Sequence, residues 1–420
     1  MRRLLAIKIA WFPVWVVAVL MMAMISVYLP VFSGGTQRVH DFPLVIANED
    51  PAFAESAIGQ KITQQLTTTS GDKIHWTLEK SKQDALDTIE KDKAFGALVI
   101  PAGFSDALAK LDASLKAGDA NVEPVPLEIL INEGSGQLST SVASATLQQI
   151  AASLTSAYSA QMSAELSANG ITVTPAGAAL LENPIRTTTA NALGLPANLN
   201  KGMTPFVLTI ILSIGGLMGT QMIHGFLSKI VESIKARGGR LSRTTVLATE
   251  FLLGLALILG ISILAQLFVF GIFGSVHTAA LWKIFLFTLL CQLTMFFLFK
   301  TVTLIFGGKW AMLAMFPINI LGIFASGGAI ALTGLPAFHR FCSYFLPTRY
   351  MVDGFRSLLY YNGKMESGLG LALIVIVTYL AVFLSFCIAK FFLAHHQDKN
   401  DKAAKPEAAP QAHAAAASHA

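Results

Sequence analysis

The amino-acid sequence predicts an α-helical membrane protein with six transmembrane helices and an α/β extracytoplasmic domain inserted between helices 1 and 2. Two observations lead to this fold class. Of the 420 residues, 54% are hydrophobic and only 13% are charged, which lies outside the usual composition of soluble domains. The apolar residues also form runs of about 20 residues, the length that a helix needs to cross ~30 Å of hydrocarbon.

Six apolar runs define the predicted spans. They cover residues 11–32, 205–227, 246–273, 282–306, 310–332 and 369–393. The first run could also be a cleavable signal peptide, since both begin with basic residues and an apolar stretch. It exceeds the usual signal core of about 7–15 residues, and Ser33-Gly34-Gly35 is a poor cleavage site, so we expect a retained anchor. Lys300 falls inside the fourth run, and we expect its side chain to reach out to the headgroups.

The positions of lysine and arginine predict the orientation, because short cytoplasmic loops carry the excess of positive charge. The basic N-terminus, the basic segment 228–244 and the lysine-rich tail are all expected on the cytoplasmic side. Against this rule, four basic residues fall in the outer segment: Arg340, Arg349, Arg356 and Lys364. We expect a multi-pass protein of the bacterial cytoplasmic (inner) membrane with both termini cytoplasmic. The net charge of +5 then flanks membrane spans and indicates no nucleic-acid partner.

Composition divides the chain into four predicted parts. They are 1–32 with the first helix, 33–203 as the extracytoplasmic domain, 204–393 with helices 2–6, and 394–420 as a disordered cytoplasmic tail. The third part includes an outer interfacial loop at 333–368.

Within the extracytoplasmic domain, strand-like and helix-like runs alternate, which indicates a small α/β unit. Strands are predicted at 44–47, 73–78, 95–100 and 125–131, and helices at 52–66 and 82–91. The stretch 138–166 has apolar residues at helical spacing and predicts a long helix that runs back toward the membrane.

The sequence offers no catalytic or metal-binding pattern. The nine histidines show no HExxH spacing, and the three cysteines form neither a disulfide framework nor a metal motif. The sequence at 307–310 (GGKW) lacks the glycine spacing and the hydroxyl residue of a phosphate-binding loop. We therefore expect neither an enzyme nor a cofactor on this chain.

Several stretches resemble the ABC-2 type exporter permeases, including the YhgE/Pip branch. The similar stretches are residues 44–50 (LVIANED), 95–104 (FGALVIPAGF), 132–140, 346–348 (LPT) and 353–356 (DGFR). The resemblance implies a large extracytoplasmic domain and short outer helices that dip into the outer leaflet. It also implies a separate ATPase subunit, so that ATP would bind a partner and not this chain.

The resemblance places ATPase docking on the cytoplasmic loop 228–244. The candidate docking residues are Glu232, Lys235, Arg237, Gly238 and Arg240. Two departures favour the YhgE/Pip branch, in which an ATPase is less evident: Gly239-Arg240 replaces the expected continuation, and only about ten residues precede the first span. The alternative is that these charges only fix topology and bind anionic headgroups.

Polar residues inside the predicted spans are the other candidates for function, because such groups are costly in hydrocarbon without partners. They are Glu250, Gln221, Gln266 and Asn319. Glu250 could pair with Arg243 or Lys229, or could face a translocation path. The neutral groups more often bridge helices than line a path.

The outer loop contributes a third set of candidate residues: Pro347, Arg349, Asp353 and Arg356. Because the last three have helical spacing, mutual ion pairing on one helix face is expected. The mixture of aromatic and charged residues at 350–361 is typical of an interfacial segment.

Together these observations predict a permease subunit that exports a hydrophobic or amphipathic substrate, contacts membrane lipids, and works as a homodimer or heterodimer. The alternative is a cell-envelope surface protein whose outer domain binds envelope components or partners without ATP-driven transport.

Overall fold

The computed structural model describes residues 12–32, 38–56, 59–60, 73–117, 123–196 and 199–403. After helix α1 (Phe12–Phe32), the chain enters a domain built around a five-stranded sheet. Its strands are β1 (Phe42–Asn48), β2 (Ile74–Glu79), β3 (Gly96–Ile100), β4 (Val125–Ile131) and β5 (Ile185–Asn191). Its helices are α2 (Pro51–Glu55), α3 (Lys82–Glu90), α4 (Phe104–Ala117), α5 (Gln137–Ala168) and α6 (Pro175–Glu182).

The sheet is mixed, and the predicted α/β character is confirmed. Its strand order is β2-β1-β3-β4-β5, and only the β3–β4 pair is antiparallel. The sheet has one apolar core on each face, because successive residues of a strand point to opposite faces. Leu44 and Ile46 of β1 pack on the face covered by α4 and α5, whereas Val45 and Ala47 pack on the face covered by α3. Strand β5 was not predicted, because most of its residues are exposed and its threonines form no apolar run.

Helix α5 runs away from the apolar helices, so the predicted direction toward the membrane is wrong. Its first turn packs Leu138 against Val31 and Leu335, whereas Leu166 in its last turn belongs to the domain core. The reason is the direction of β4, which ends beside the apolar helices at Ile131. A short turn at Glu133–Ser135 then starts α5 at that same end.

The second half of the chain forms a bundle of apolar helices. They are α7 (Thr204–Ala236), α8 (Arg243–Gln266, continued by a π-helical turn at Leu267–Ile272), α9 (Leu281–Phe306), α10 (Gly308–Phe324) and α13 (Leu369–Ala403). Four described stretches are long and apolar enough to cross a membrane: Thr204–Ala236, Arg243–Ile272, Leu281–Phe306 and Leu369–Asp401. Two shorter apolar helices lie at Ala18–Val31 and Trp310–Phe324, where the first and fifth spans are predicted.

Two predicted boundaries change because helices continue beyond the apolar runs. Helix α7 extends to Ala236, so the first half of the predicted loop 228–244 is helical. Helix α13 extends to Ala403, so the first ten residues of the predicted disordered tail are helical, and residues 404–420 lie outside the described part. The length of an apolar run indicates how much of a helix can lie in hydrocarbon. The helix itself can continue beyond the run where its polar residues find partners.

Helices α11 (Ala337–Ser343) and α12 (Pro347–Tyr360) lie in the predicted outer loop. Helix α12 is almost completely buried, with Met351, Phe355 and Leu359 in the bundle core. Residues 350–361 therefore face other parts of the protein, and their predicted place at the membrane interface stays a prediction. Its charged residues have partners inside the protein, and the exposed aromatic side chains lie just before it: Phe338, Phe341, Tyr344 and Phe345.

Helix α7 packs directly against α9 through glycine. A Cβ added to Gly216 would lie 2.9 Å from Met295 Cβ and 3.0 Å from the Met295 carbonyl carbon. Because one of these neighbours is backbone, the contact cannot be relieved by a side-chain rotation. Small residues of this kind allow membrane helices to approach closely.

We expect Gly216→Ala to lower the melting temperature of the purified protein in detergent, because overpacking a tight contact costs about 1–3 kcal/mol. Gly225→Ala on the same helix is the matched control, since a Cβ there meets no atom within 4 Å. Equal melting temperatures for the two variants would contradict the close packing of α7 on α9.

Candidate functional site

A charged cluster lies inside the helix bundle, where three helices meet. Glu250 of α8 forms an ion pair with Lys300 of α9, and these side chains are 3% and 2% exposed. His224 of α7 completes the cluster, with its Nδ1 atom 2.7 Å from Glu250 Oε1. A carboxylate, an ammonium group and an imidazole therefore meet within an apolar bundle, where the first two are buried and His224 is partly exposed.

This cluster corrects two expectations. Lys300 does not reach out to the headgroups, and Glu250 pairs with Lys300 and His224 instead of Arg243 or Lys229. The physical reason is that an unpaired buried charge is costly. The attraction between the two opposite charges offsets part of the cost of burying each of them. The partners are 26 and 50 residues from Glu250, and only the rotation of the helices about their axes brings them together.

The neutral polar candidates differ in their placement. Gln221 Nε2 of α7 donates to Thr303 Oγ1 of α9 at 3.3 Å, and Asn319 of α10 accepts a hydrogen bond from Ser213 of α7. These two residues connect neighbouring helices. Gln266 is half-buried near the end of α8, and its Nε2 atom has no hydrogen-bond partner among the described residues.

The GGKW sequence has a structural role at a helix junction. Gly307 has a φ of +75° and connects α9 to α10. A Cβ on Gly308 would lie 2.4 Å from His224 Nε2. Glycine is therefore needed here so that α10 can approach the charged cluster.

The candidate docking residues are all exposed around the turn between α7 and α8. Glu232 and Lys235 lie on the last turns of α7, and the other three follow it. Gly238 ends the helix with a φ of +79°. Its N–H donates to Lys235 O and the N–H of Gly239 donates to Ile234 O, the hydrogen-bond pattern of a Schellman motif. The Gly238-Gly239 pair therefore acts as a helix C-cap.

Asp398 of α13 holds this turn, a role that the sequence did not reveal. Its carboxylate accepts hydrogen bonds from the N–H groups of Arg243 and Thr244 at 3.1 and 2.8 Å, and from Thr244 Oγ1 at 2.7 Å. An anion at a helix N-terminus is favoured by the free N–H groups and the helix dipole. No local pattern in the tail predicts this role of Asp398, because the residue is more than 150 positions from the turn in the sequence.

At the opposite end of the bundle, a second charged cluster joins α12 to the α/β domain. Arg356 Nη1 lies 3.7 Å from Asp353 Oδ1 and 3.5 Å from Asp92 Oδ2 of the domain. Arg349 Nε lies 3.8 Å from Asp353 Oδ2 on the same helix. Pro347 occupies the first turn of α12 and is buried. Helical spacing led to the Arg349, Asp353 and Arg356 set, whereas Asp92 carries no sequence signal for this role.

Burial changes the protonation of this outer cluster. Desolvation raises the pKa of Asp353 to about 6, although Arg356 and Arg349 oppose the shift. Desolvation also raises the pKa of Asp92, against the attraction of Arg356. Tyr361 donates from its hydroxyl to Asp92 Oδ1 at 2.8 Å, and burial raises the pKa of this phenol well above its ordinary value. We therefore expect Asp353 to take up a proton in mild acid.

The long apolar helices, the charged cluster within them and the polar domain at one end define a multi-pass membrane protein. The chain belongs to the ABC-2 family transporter proteins, because the model of that family matches residues 10–390. The resemblance found in the sequence is thereby confirmed.

Two known proteins are similar to parts of this chain. The uncharacterized protein YhgE of Bacillus subtilis (strain 168) is 26% identical over 218 residues, which cover 49% of this chain and 26% of YhgE. The match therefore spans about a quarter of the length of that relative. A solved domain of a putative ABC type-2 transporter from Thermotoga maritima MSB8 is 24% identical, covers 35% of this chain and 83% of that domain, and has a TM-score of 0.23.

The pairing of Glu250 with Lys300 predicts strong non-additivity. We expect Glu250→Leu and Lys300→Met each to cost about 3–5 kcal/mol, because each leaves one charge buried without its partner. The double variant should recover most of the loss in melting temperature. The partly exposed pair Lys82–Glu128 provides the control cycle, since pairs in contact with solvent contribute about 0–1 kcal/mol. A double variant as unstable as the sum of the singles would rule out the pairing.

The raised pKa of Asp353 predicts a pH dependence of stability. Between pH ~4 and 6 the folded state holds a proton that the unfolded state has lost, so stability falls as the pH rises through this window. As the pH rises from 4 to 7, the melting temperature of the wild type should fall relative to that of Asp353→Asn. Asp106→Asn, at an exposed position of α4, is the control. A constant difference between wild type and Asp353→Asn would contradict the shift.

Proposed function

We propose that the chain is the membrane-spanning permease subunit of an ABC-2 type exporter, which moves a hydrophobic or amphipathic substrate outward with energy from a separate ATPase. The observation that carries this proposal is the extent of α7. Its 33 residues make it about 50 Å long at 1.5 Å per residue, well beyond the ~30 Å of hydrocarbon. One helix thus runs from the α/β domain to an exposed basic turn.

The topology that fits this function has six spans, an extracytoplasmic domain between the first two, and both termini in the cytoplasm of a bacterium. The basic turn and the polar end of α13 lie together at the end of the bundle opposite the α/β domain. Helix α10 has 17 residues and α1 has 21, which is within the range for a span. The positive charge of the turn favours the cytoplasmic side.

The turn between α7 and α8 is the proposed docking surface for the ATPase. Its candidate residues Glu232, Lys235, Arg237, Gly238 and Arg240 are exposed and available to a partner. The hydrogen bonds from Arg243 and Thr244 to Asp398 anchor the turn to α13. A force applied at the turn would therefore reach three helices and, through α7, the outer domain.

A dimer is the proposed assembly, as homodimer or heterodimer. Helix α7 exposes a row of large apolar side chains at helical spacing: Val207, Ile211, Ile214, Met218, Met222 and Phe226. Such a row requires either lipid or the helix of another subunit, and polar residues that could line a path within a single bundle, such as Gln221 and Asn319, are occupied in helix contacts.

The alternative is a YhgE/Pip-like surface protein whose outer domain binds envelope components without ATP-driven transport. The observation that favours it is the capping role of Gly238 and Gly239. These glycines have a local structural reason, so their presence does not require an ATPase.

A copurification experiment separates the two functions. We expect a nucleotide-binding subunit to copurify with the tagged chain from its native membrane, and the double reversal Lys235→Glu/Arg237→Glu to reduce its recovery at least tenfold, because it inverts the charge of the docking surface. Lys110→Glu/Arg186→Glu is the matched control, with two exposed charges on the α/β domain.

Recovery of the ATPase with the control but not with the docking variant would support the exporter. Absence of any ATPase from the wild-type sample, together with unchanged substrate efflux after deletion of the gene, would overturn the exporter in favour of the surface protein.

A further inference from the structure

Polar side chains attach helix α11 and the segment 38–40 to the C-terminal end of α1. His339 of α11 donates from Nε2 to Val27 O at 2.9 Å, and Arg38 donates from Nη2 to Val31 O at 3.3 Å. The last four carbonyl groups of a helix have no partner within it, so Arg38 acts as a cap for α1. Most of the described large apolar side chains of α1 are exposed. The attachment of α1 therefore depends on a small number of contacts such as these.

The hydrogen bonds of His40 require a neutral imidazole. Its Nδ1 atom lies 2.8 Å from Arg38 O, and a carbonyl oxygen can only accept, so Nδ1 carries the proton. Its Nε2 atom accepts a hydrogen bond from Arg340 Nη1 of α11, and a guanidinium nitrogen can only donate. A proton on Nε2 would remove this hydrogen bond and place two positive groups in contact.

His339 is also held as a neutral imidazole. Because its Nε2 atom donates to Val27 O, the free position for a second proton is Nδ1. That atom is buried and has no hydrogen-bond partner among the described residues. Burial lowers the pKa of His339, and the charge of Arg38 adds to this effect against the hydrogen bond to Val27. A proton on Nδ1 would create a buried charge whose N–H has no acceptor, which is costly.

Four side chains, which we call the histidine latch, meet at this end of α1: Arg38, His40, His339 and Arg340. In the part of the chain that the structure describes, none of them forms an ion pair with an aspartate or glutamate. Helix α1, the first half of α5 and residues 310–336 contain no acidic or basic residue. These neighbouring elements therefore offer no charge that could balance a proton on the latch.

The charged groups on the other adjoining elements lie elsewhere. Arg349 of α12 lies over the ring of Tyr344, 4.8 Å from its centroid, and has Asp353 as its partner. Asp41 follows His40 in the chain and is exposed at the cavity between the α/β domain and the segment that contains α11. Two protonated histidines beside two arginines would thus be opposed, within the described ranges, by one solvent-exposed carboxylate.

We infer that the histidine latch is an acid-sensitive switch, which joins α11 and the segment 38–40 to α1 near neutral pH and opens in mild acid. One proton binds His40 Nε2 and another binds His339 Nδ1. The hydrogen bond from Arg340 is then lost, and repulsion between the cations separates α11 from α1. The switch does not depend on whether the chain works with an ATPase.

A spin label on α11 tests this inference in the full-length protein in lipid nanodiscs. Cys342 of α11 is the attachment site, because it is partly exposed, whereas Cys291 and Cys387 are completely buried. We expect the rotational mobility of the label to rise about twofold or more as the pH falls from ~8 to ~5, the range in which histidine changes its charge. Unchanged mobility in the wild type would overturn the inference.

The double variant His40→Gln/His339→Gln separates the latch from other groups that titrate. Glutamine can offer an oxygen to Arg340 and an N–H to Val27 O, and it takes up no proton in this range. The label should therefore stay immobile at both pH values. His277→Gln is the matched control, since His277 is an exposed histidine in the turn before α9 and should leave the acid response intact. A wild-type response in the double variant would assign the effect to another group, such as Asp353, and overturn the inference.

His40→Lys provides an independent measurement. It places a permanent positive charge against Arg340, so the label should be mobile at pH ~8 as well as at pH ~5. A label as immobile as that of the wild type at pH ~8 would show that charge at this position does not open the latch.

Discussion

The ion pair between Glu250 and Lys300 constrains the rest of the bundle. Hydrocarbon and apolar protein both disfavour an isolated charge, so neither residue is tolerated in this position without the other. The pair fixes how α8 and α9 are rotated relative to each other, and His224 adds α7 to the same arrangement. The glycines then follow as a consequence, because Gly216 and Gly308 permit the close helix approach that brings these side chains together.

The same constraint joins the outer domain to the bundle. Arg356 is buried between Asp353 of its own helix and Asp92 of the domain, and Tyr361 bridges Asp92 and Asn132 with its hydroxyl. The C-terminal end of β4 therefore meets the helices through polar contacts, although the surrounding core is apolar. A contact of this kind is sensitive to protonation, whereas an apolar interface is not.

Helix α7 connects these two charged clusters. Phe206 in its first turn packs with Val352 of α12, His224 lies in the inner cluster, and Lys235 is exposed at the far end. A continuous α-helix transmits displacement along its axis, because its hydrogen bonds resist a change in length. This arrangement would connect the proposed partner at the turn with the outer domain, and it favours the proposed transport function over a simple anchor.

The sequence by itself determined the class of protein, since long apolar runs dictate membrane helices and the alternation at 44–131 dictates an α/β domain. It also indicated the family and the spacing of Arg349, Asp353 and Arg356. Only the tertiary structure decided the partners of Glu250, the burial of α12, the direction of α5 and the role of Asp398. These features depend on residues far apart in the chain, whose meeting is set by helix rotation and strand order, and neither is encoded in a local pattern.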